Sequence, residues 1–375
     1  MDRSLIKGLD LSELFYREAV GPLLASRWPD LTYSAALIGP GSDILGFDDA
    51  QSRDHDWGPR LMLFLTEADY ATQQDAIDRM LRQELPARIR GYPTSFGRHE
   101  DGTAVMTAND GDSIPPGAAP QHGVRFLILQ RFFQSVLKFD PVGDMRAVDW
   151  LSVPEHHLLM LTSGRVFHDG LRQGAAPGGL ESVRAKLRYY PRDVWLYRLA
   201  AQWRRIAQEE AFMGRCGQVG DDLGSRLVAA RLVHDLMRLC FLIERRYTPY
   251  LKWLGTAFAQ LECAAQLTPV LAQTLAARSW TERERHLTAA YEIVAGLHNG
   301  LGITGALPTR VSPYYARPFV VIHADRFVDA IRAAITDKEV LDLPEHLGAI
   351  DQFIDSTDAL NHFEWFKPVF RESSE

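Results

Sequence analysis

Asp54 and Asp56 flank His55, and eleven residues, Asp43 to Arg53, separate them from the pair Gly41 and Ser42. If 54–56 run as a strand, side chains alternate across it. Both carboxylates then leave one face and His55 leaves the other. Two carboxylates on one face are hard oxygen ligands, suited to Mg²⁺ with water and phosphate oxygens completing its shell. A cation held there would activate an acceptor oxygen and neutralise charge on a phosphate under attack. Gly41 lets the backbone approach a phosphate with no Cβ in the way, and Ser42 adds a hydroxyl donor. A turn or helix starting there would also aim free N–H groups at the anion. Asp43, Asp48 and Asp49, between these two features, read as turn formers and loop solvation. His55 reads as a supporting group rather than a ligand. An EF-hand does not fit, because no Glu closes a twelve-residue loop. No HExxH is present to make a zinc protease.

These residues need strands to position them. "TYSAALIG" reads as a strand ending in the Gly-Pro-Gly turn at 39–41, and "RLMLFL" at 60–65 reads as a central strand. A helix is expected over 10–28, kinked or divided at Pro22, and another over 70–90. Residues 93–123, with "DGDSIPPGAAPQHG", read as a long loop, and "VRFLILQ" at 124–130 as a third strand. After about residue 145 the pattern turns helical. Trp195, Leu199 and Trp203 share one side of a helix, with Leu223, Leu227, Leu236 and Cys240 on a second. Thr248 and Pro249 are expected to start a third. Further helices are expected over 283–299, 324–336 and 346–366. The expected fold is α+β: a small mixed-sheet domain over 1–145, then a connecting segment and an all-helical domain over 146–375. In the connecting segment, "GRVFHDG", with His168 and Asp169, reads as a turn. Trp195, Trp203, Trp253 and Tyr250 in the helical segments read as core rather than base-stacking platforms, and each of the arginines 184, 188, 192, 204, 205 and 215 as part of a solvated face rather than a cleft lining.

The 375 residues are 46% hydrophobic and 24% charged, an ordinary globular balance. A net charge of −7 supplies no general field for a nucleic-acid backbone, which makes nucleic acid the less favoured partner. Three cysteines without CxxC spacing fit a reducing, cytoplasmic setting and no disulfide framework. The charged N-terminal stretch does not read as a signal peptide, and no run is long enough to span a membrane.

The order Gly41-Ser42, spacer, Asp54-x-Asp56 between apolar strands resembles the signature of the nucleotidyltransferase superfamily, which includes DNA polymerase β and the antibiotic-modifying nucleotidyltransferases. More widely, "GSDILGFDDAQSRDHDWGPR", "SGRVFHDG", "YYPRDVWLY" and "YTPYLKW" look like an uncharacterised bacterial branch of that superfamily, a domain of unknown function. The resemblance implies a catalytic α/β half and a helical half that closes over ATP or another nucleoside triphosphate. It implies Mg²⁺ on Asp54 and Asp56, and a basic residue, Lys252, on the triphosphate. The implied reaction moves AMP from ATP to a hydroxyl of a small-molecule or protein acceptor. One feature departs from the family pattern. A third carboxylate is usual on the next core strand, and "VRFLILQ" has none. Glu100, Asp101, Asp110, Asp112, Asp140 and Asp144 lie near by in sequence, and Glu209 or Glu210 could act from the helical half, Glu209 being taken as general base. The alternatives are an inactive nucleotide-binding protein and an antitoxin-like, partner-binding module.

Overall fold

The computed structural model describes residues 6–98, 104–106, 121–173, 179–345 and 347–370. The chain divides into two units. One comprises Met1–Asp144 with His157–Arg188, the other Met145–His156 with Tyr189–Glu375.

The first unit opens with α1 (Gly8–Phe15), a π-helical turn (Tyr16–Val20) and α2 (Gly21–Arg27). Pro22 has no N–H to give the α-helical ladder, and the Gly21 N–H bonds five residues back to Tyr16. The helix is therefore widened at this proline rather than divided. Then follow β1 (Tyr33–Leu37), the short α3 (Ser42–Leu45), β2 (Arg60–Leu65) and α4 (Glu67–Glu84), whose Thr66 cap accepts from the Asp69 N–H. A two-residue hairpin, β3 (Arg88–Ile89) and β4 (Tyr92–Pro93), leads to β5 (Ser95–Arg98), β6 (Ala104–Met106) and β7 (Gln121–Ile128). The stretch expected as one long loop thus carries strands at 95–98 and 104–106. Most of "DGDSIPPGAAPQHG" lies outside the described residues. The third core strand gives way at Leu129 to α5 (Leu129–Leu137), earlier than expected.

Residues 157–188, expected as connector, return to this unit. After α6 (Ala147–Ser152) and α7 (Glu155–Thr162), β8 (Arg165–Asp169) pairs antiparallel with β1, and α8 (Gly179–Lys186) follows. "GRVFHDG" is accordingly an edge strand, not a turn. Asp169 accepts from Ser34 Oγ (2.7 Å) and from the N–H groups of Leu180 and Glu181 (3.1 Å each), tying β1, β8 and α8 together. The mixed sheet runs β6-β5-β7-β2-β1-β8, with β2 and β7 parallel and the other pairs antiparallel. β1 and most of β2 are buried, as their apolar runs require, and pack on Leu11, Phe15, Leu24, Ile77 and Leu81 from the helices.

The second unit is helical, built on α9 (Arg192–Glu209), α10 (Phe212–Gln218), α11 (Asp222–Ile243), α12 (Leu251–Phe258), α13 (Ala264–Ala276), α14 (Trp280–Gly300) and α15 (Asp325–Arg332). It is not wholly helical: Ser312–Pro313 and Val320–Val321 form a two-stranded ribbon. Residues 346–366, expected as one helix, are broken into Ile350–Phe353, Thr357–Asn361 and a 3₁₀ segment, Phe363–Phe370. Trp195, Leu199, Trp203, Leu236 and Cys240 are buried as expected, but Leu223 and Leu227 lie on the exposed side of α11, 70% and 60% accessible. No helix among the described residues is long and apolar enough to cross a membrane.

Candidate functional site

The loop from Ile38 to Pro59 joins two neighbouring antiparallel strands, so both its ends rise from the same edge of the sheet. Gly41 sits at φ +146°, and a Cβ there would fall 2.5 Å from Asp43 Oδ1 and 2.9 Å from Arg60 Nη2. Glycine is thus required by the crowding beneath it and by its backbone angle. Ser42 opens α3, which Gly46 closes at φ +77°. Ser42 Oγ makes no hydrogen bond to any described residue.

The loop's five aspartates divide sharply. Asp43 is buried, accepts from Arg60 Nη2 at 2.8 and 3.0 Å and takes the Ile44 N–H at 3.0 Å. Burial pushes its carboxyl upward, against the pull of Arg60. Asp48, also buried, accepts the Gly8 N–H (2.8 Å) and Trp57 Nε1 (3.0 Å) and lies 3.4 Å from Lys7 Nζ. Neither is loop solvation: Asp43 fastens the loop to Arg60 at the start of β2, and Asp48 fastens it to Gly8 at the start of α1. Asp49 is exposed and forms the expected turn, accepting the N–H groups of Gln51 and Ser52 and the Ser52 hydroxyl, which hold its pKa below the usual carboxylate range. Asp54 is 68% accessible, and its contacts are with its neighbour His55, through Nδ1 (3.0 Å) and the backbone N–H (3.1 Å). Asp56 is exposed, and no described residue hydrogen-bonds its carboxylate.

The backbone under Asp54 and Asp56 is not the expected strand. β2 begins only at Arg60. Residues 54–56 form a bend in which Asp56 takes the left-handed conformation, φ +47°, with its N–H bonded to the Ala104 carbonyl at 2.7 Å. Side-chain alternation therefore does not set the direction of the two carboxylates, and His55 leans on Asp54 instead of opposing it. The strand is delayed because Trp57 is buried against Asp48 and Gly58 holds φ +131°, where a Cβ would meet Met106 Sδ at 2.6 Å.

β7 carries no carboxylate. Asp140 accepts from the Val142 N–H and from Gln130, beyond the end of α5, and Glu100, Asp101, Asp110 and Asp112 lie outside the described residues. Among the described residues no group of three or more His, Cys, Asp or Glu side chains is placed to share a metal. In the second unit, Lys252 is exposed on the first turn of α12 with its Nζ 5.0 Å from the Trp253 ring centre. That helix begins after Tyr250, whose side chain makes no capping hydrogen bond, so Thr248 and Pro249 do not start it as expected. Glu209 pairs with Arg231 at 2.6 Å. Glu210 is buried and accepts the N–H groups of Ile322 (3.0 Å) and Ala324 (3.3 Å); burial pushes its pKa up to about 7.

Several arginines expected as solvated faces are pinned instead. Arg184 donates to the last carbonyls of α7, Arg192 to Asp193 and the Ala334 carbonyl, Arg204 to Asp325, and Arg205 to Asp235 and the Gln352 carbonyl. The sequence reading missed the buried pairs of Asp43 with Arg60 and of Arg198 with Glu155 and Asp351. For Arg198 a signal existed: it lies three residues after Trp195 and beside Leu199, on the face that packs inward.

A family described only as a domain of unknown function (DUF4037) matches residues 150–254. No curated protein matches the chain. A solved nucleotidyltransferase-like protein from Exiguobacterium sibiricum 255-15 aligns over 77% of each chain, at 12% identity and a TM-score of 0.30, a likeness too loose to carry an argument.

Proposed function

We propose that this chain transfers a nucleoside monophosphate, AMP from ATP, to a hydroxyl of a small-molecule or protein acceptor and releases pyrophosphate. What supports the reading is the division among the aspartates of one loop. Asp43 and Asp48 are committed to the scaffold, whereas Asp54 and Asp56 stand exposed, with no ion-pair partner among the described residues other than His55 beside Asp54, on the loop that carries Gly41 and Ser42. Two accessible carboxylates suit Mg²⁺, which keeps several waters and commonly takes one or two carboxylates together with phosphate oxygens. Asp54 and Asp56 would hold it, and when bound it would supply charge neutralisation at the phosphate under attack. Gly41 and Ser42 would face phosphate oxygens, the free Ser42 hydroxyl donating. Lys252, exposed and mobile on its four-carbon stem, would contact the triphosphate tail as a point charge. Glu209 would take the acceptor's proton, which requires Arg231 to release it. Nucleic acid is a less fitting acceptor for a chain of net charge −7, and three unpaired cysteines suit a cytoplasmic setting.

A second reading is nucleotide binding without turnover, favoured by the lack of a carboxylate on β7. Incubation with α-labelled ATP, Mg²⁺ and candidate acceptors separates the two. Label transfer or pyrophosphate release that Asp54→Asn and Asp56→Asn each abolish supports the enzyme. Tight ATP binding with no turnover on any acceptor supports the second reading, and neither binding nor turnover removes both.

A further inference from the structure

Arg60 is the first residue of β2 and lies directly against the Gly41–Ser42 turn. Its side chain is 19% accessible, and its Nη2 donates to both oxygens of Asp43. That leaves the rest of the fork unused. Nε is buried, and neither it nor Nη1 makes a hydrogen bond to any described residue. A guanidinium presents five N–H donors in a fixed plane that matches the oxygens of a phosphate, and a buried N–H without an acceptor is costly. The residue above it is glycine, and a Cβ at that point would lie 2.9 Å from Nη2. The missing side chain leaves room beside Nη2 at the turn. Asp43, almost wholly buried beneath, fixes the plane of the fork and cancels part of its charge.

We infer that Arg60 is a phosphate-binding residue, its guanidinium oriented by Asp43 and given room by Gly41 to receive the triphosphate of a nucleotide. The ligand class rests on the proposed function; the placement of the arginine does not. In this arrangement Gly41 serves the anion indirectly, by making room for the arginine. Asp43 acts as a positioning residue that also restrains affinity.

Isothermal titration of the full chain with inorganic triphosphate, with and without Mg²⁺, tests the inference. Arg60→Gln is expected to weaken binding about tenfold or more, the usual loss when a charged hydrogen-bond donor is removed. Asp43→Asn keeps the shape and one acceptor but removes the competing charge, so binding is expected to tighten several-fold. An ion pair that merely held the turn in shape would lose affinity in both variants. If Arg60→Gln does not fold, the double variant Asp43→Asn with Arg60→Gln restores a neutral hydrogen-bonded pair and is expected to show the same loss. Wild-type affinity in whichever of these folds, or an Asp43→Asn variant as weak as Arg60→Gln, overturns the inference. If that result comes while Asp54→Asn still abolishes the Mg²⁺ dependence, the proposed function survives alone. A wild-type chain that binds neither triphosphate nor ATP overturns both.

Discussion

The loop at 39–59 and the charged cluster of the second unit are both crowded with acids and arginines, yet they are built to opposite ends. In the cluster, Arg198 is fully buried, with Nη2 3.0 Å from Glu155 Oε2 and 3.1 Å from Asp351 Oδ1. Arg238 Nη2 lies 3.3 Å from each of the same two carboxylates. Asp351 also takes the Glu155 N–H at 2.8 Å, and the Tyr190 ring lies 4.5 Å from the Arg198 guanidinium. Two acids and two guanidiniums cancel, out of water, and fasten the segment around Asp351 and the start of α7 onto α9. The loop buries only Asp43 and Asp48 in this way and leaves Asp54 and Asp56 in solvent. Density of charge alone is therefore a poor guide to chemistry; an exposed acid outside any buried ion pair is the better candidate for binding a cation.

The largest expected effect falls on the cluster. Arg198→Met removes one of the two guanidiniums that the buried Glu155 and Asp351 share and should cost about 3–5 kcal/mol in denaturant unfolding; a loss under about 1 kcal/mol would end the contrast. Next comes Glu210, whose neighbours include Asp325, His323, Arg326 and Tyr291. Its folded pKa of about 7 lies above the ordinary 4.5. Between those values the unfolded chain has lost the proton that the folded chain keeps. Stability from this group is therefore full below pH 4.5 and is lost as pH rises toward 7. Glu210→Gln should flatten that slope, by on the order of 2 kcal/mol in melts across the range. Asp43→Ala should cost about 1–2 kcal/mol by leaving the largely buried Arg60 without its carboxylate. Asp54→Asn and Asp56→Asn should lie within about 0.5 kcal/mol of wild type, as exposed groups outside the scaffold do. A large destabilisation in either would move them to the structural side of the contrast.

Much of the sheet was legible in the sequence. The uninterrupted apolar runs at 33–37 and 60–65 can be satisfied only by strands buried on both faces. The edge strand at 165–169 was not, because it is short, carries His168 and Asp169, and owes its pairing to Ser34, far away in sequence. Leu223 and Leu227 fit a helical period but lie on the exposed face of α11; periodicity marks a face, not its occupant. At the candidate site, type and spacing single out Gly41, Ser42, Asp54 and Asp56 as the proposed ligand residues, but the backbone under 54–56 could not be read from them. The start of β2 is set by Trp57 reaching Asp48 and by Gly58 passing Met106, contacts that no local rule contains.

The central claim is that Asp54 and Asp56 serve a cation and a nucleotide rather than the fold. The most direct measurement is Mg²⁺-dependent release of pyrophosphate from ATP by wild type, Asp54→Asn and Asp56→Asn, with melting curves taken on the same samples. The account predicts release by wild type alone, with all three chains melting together. Equal release by all three, or loss of release together with loss of fold, would contradict it.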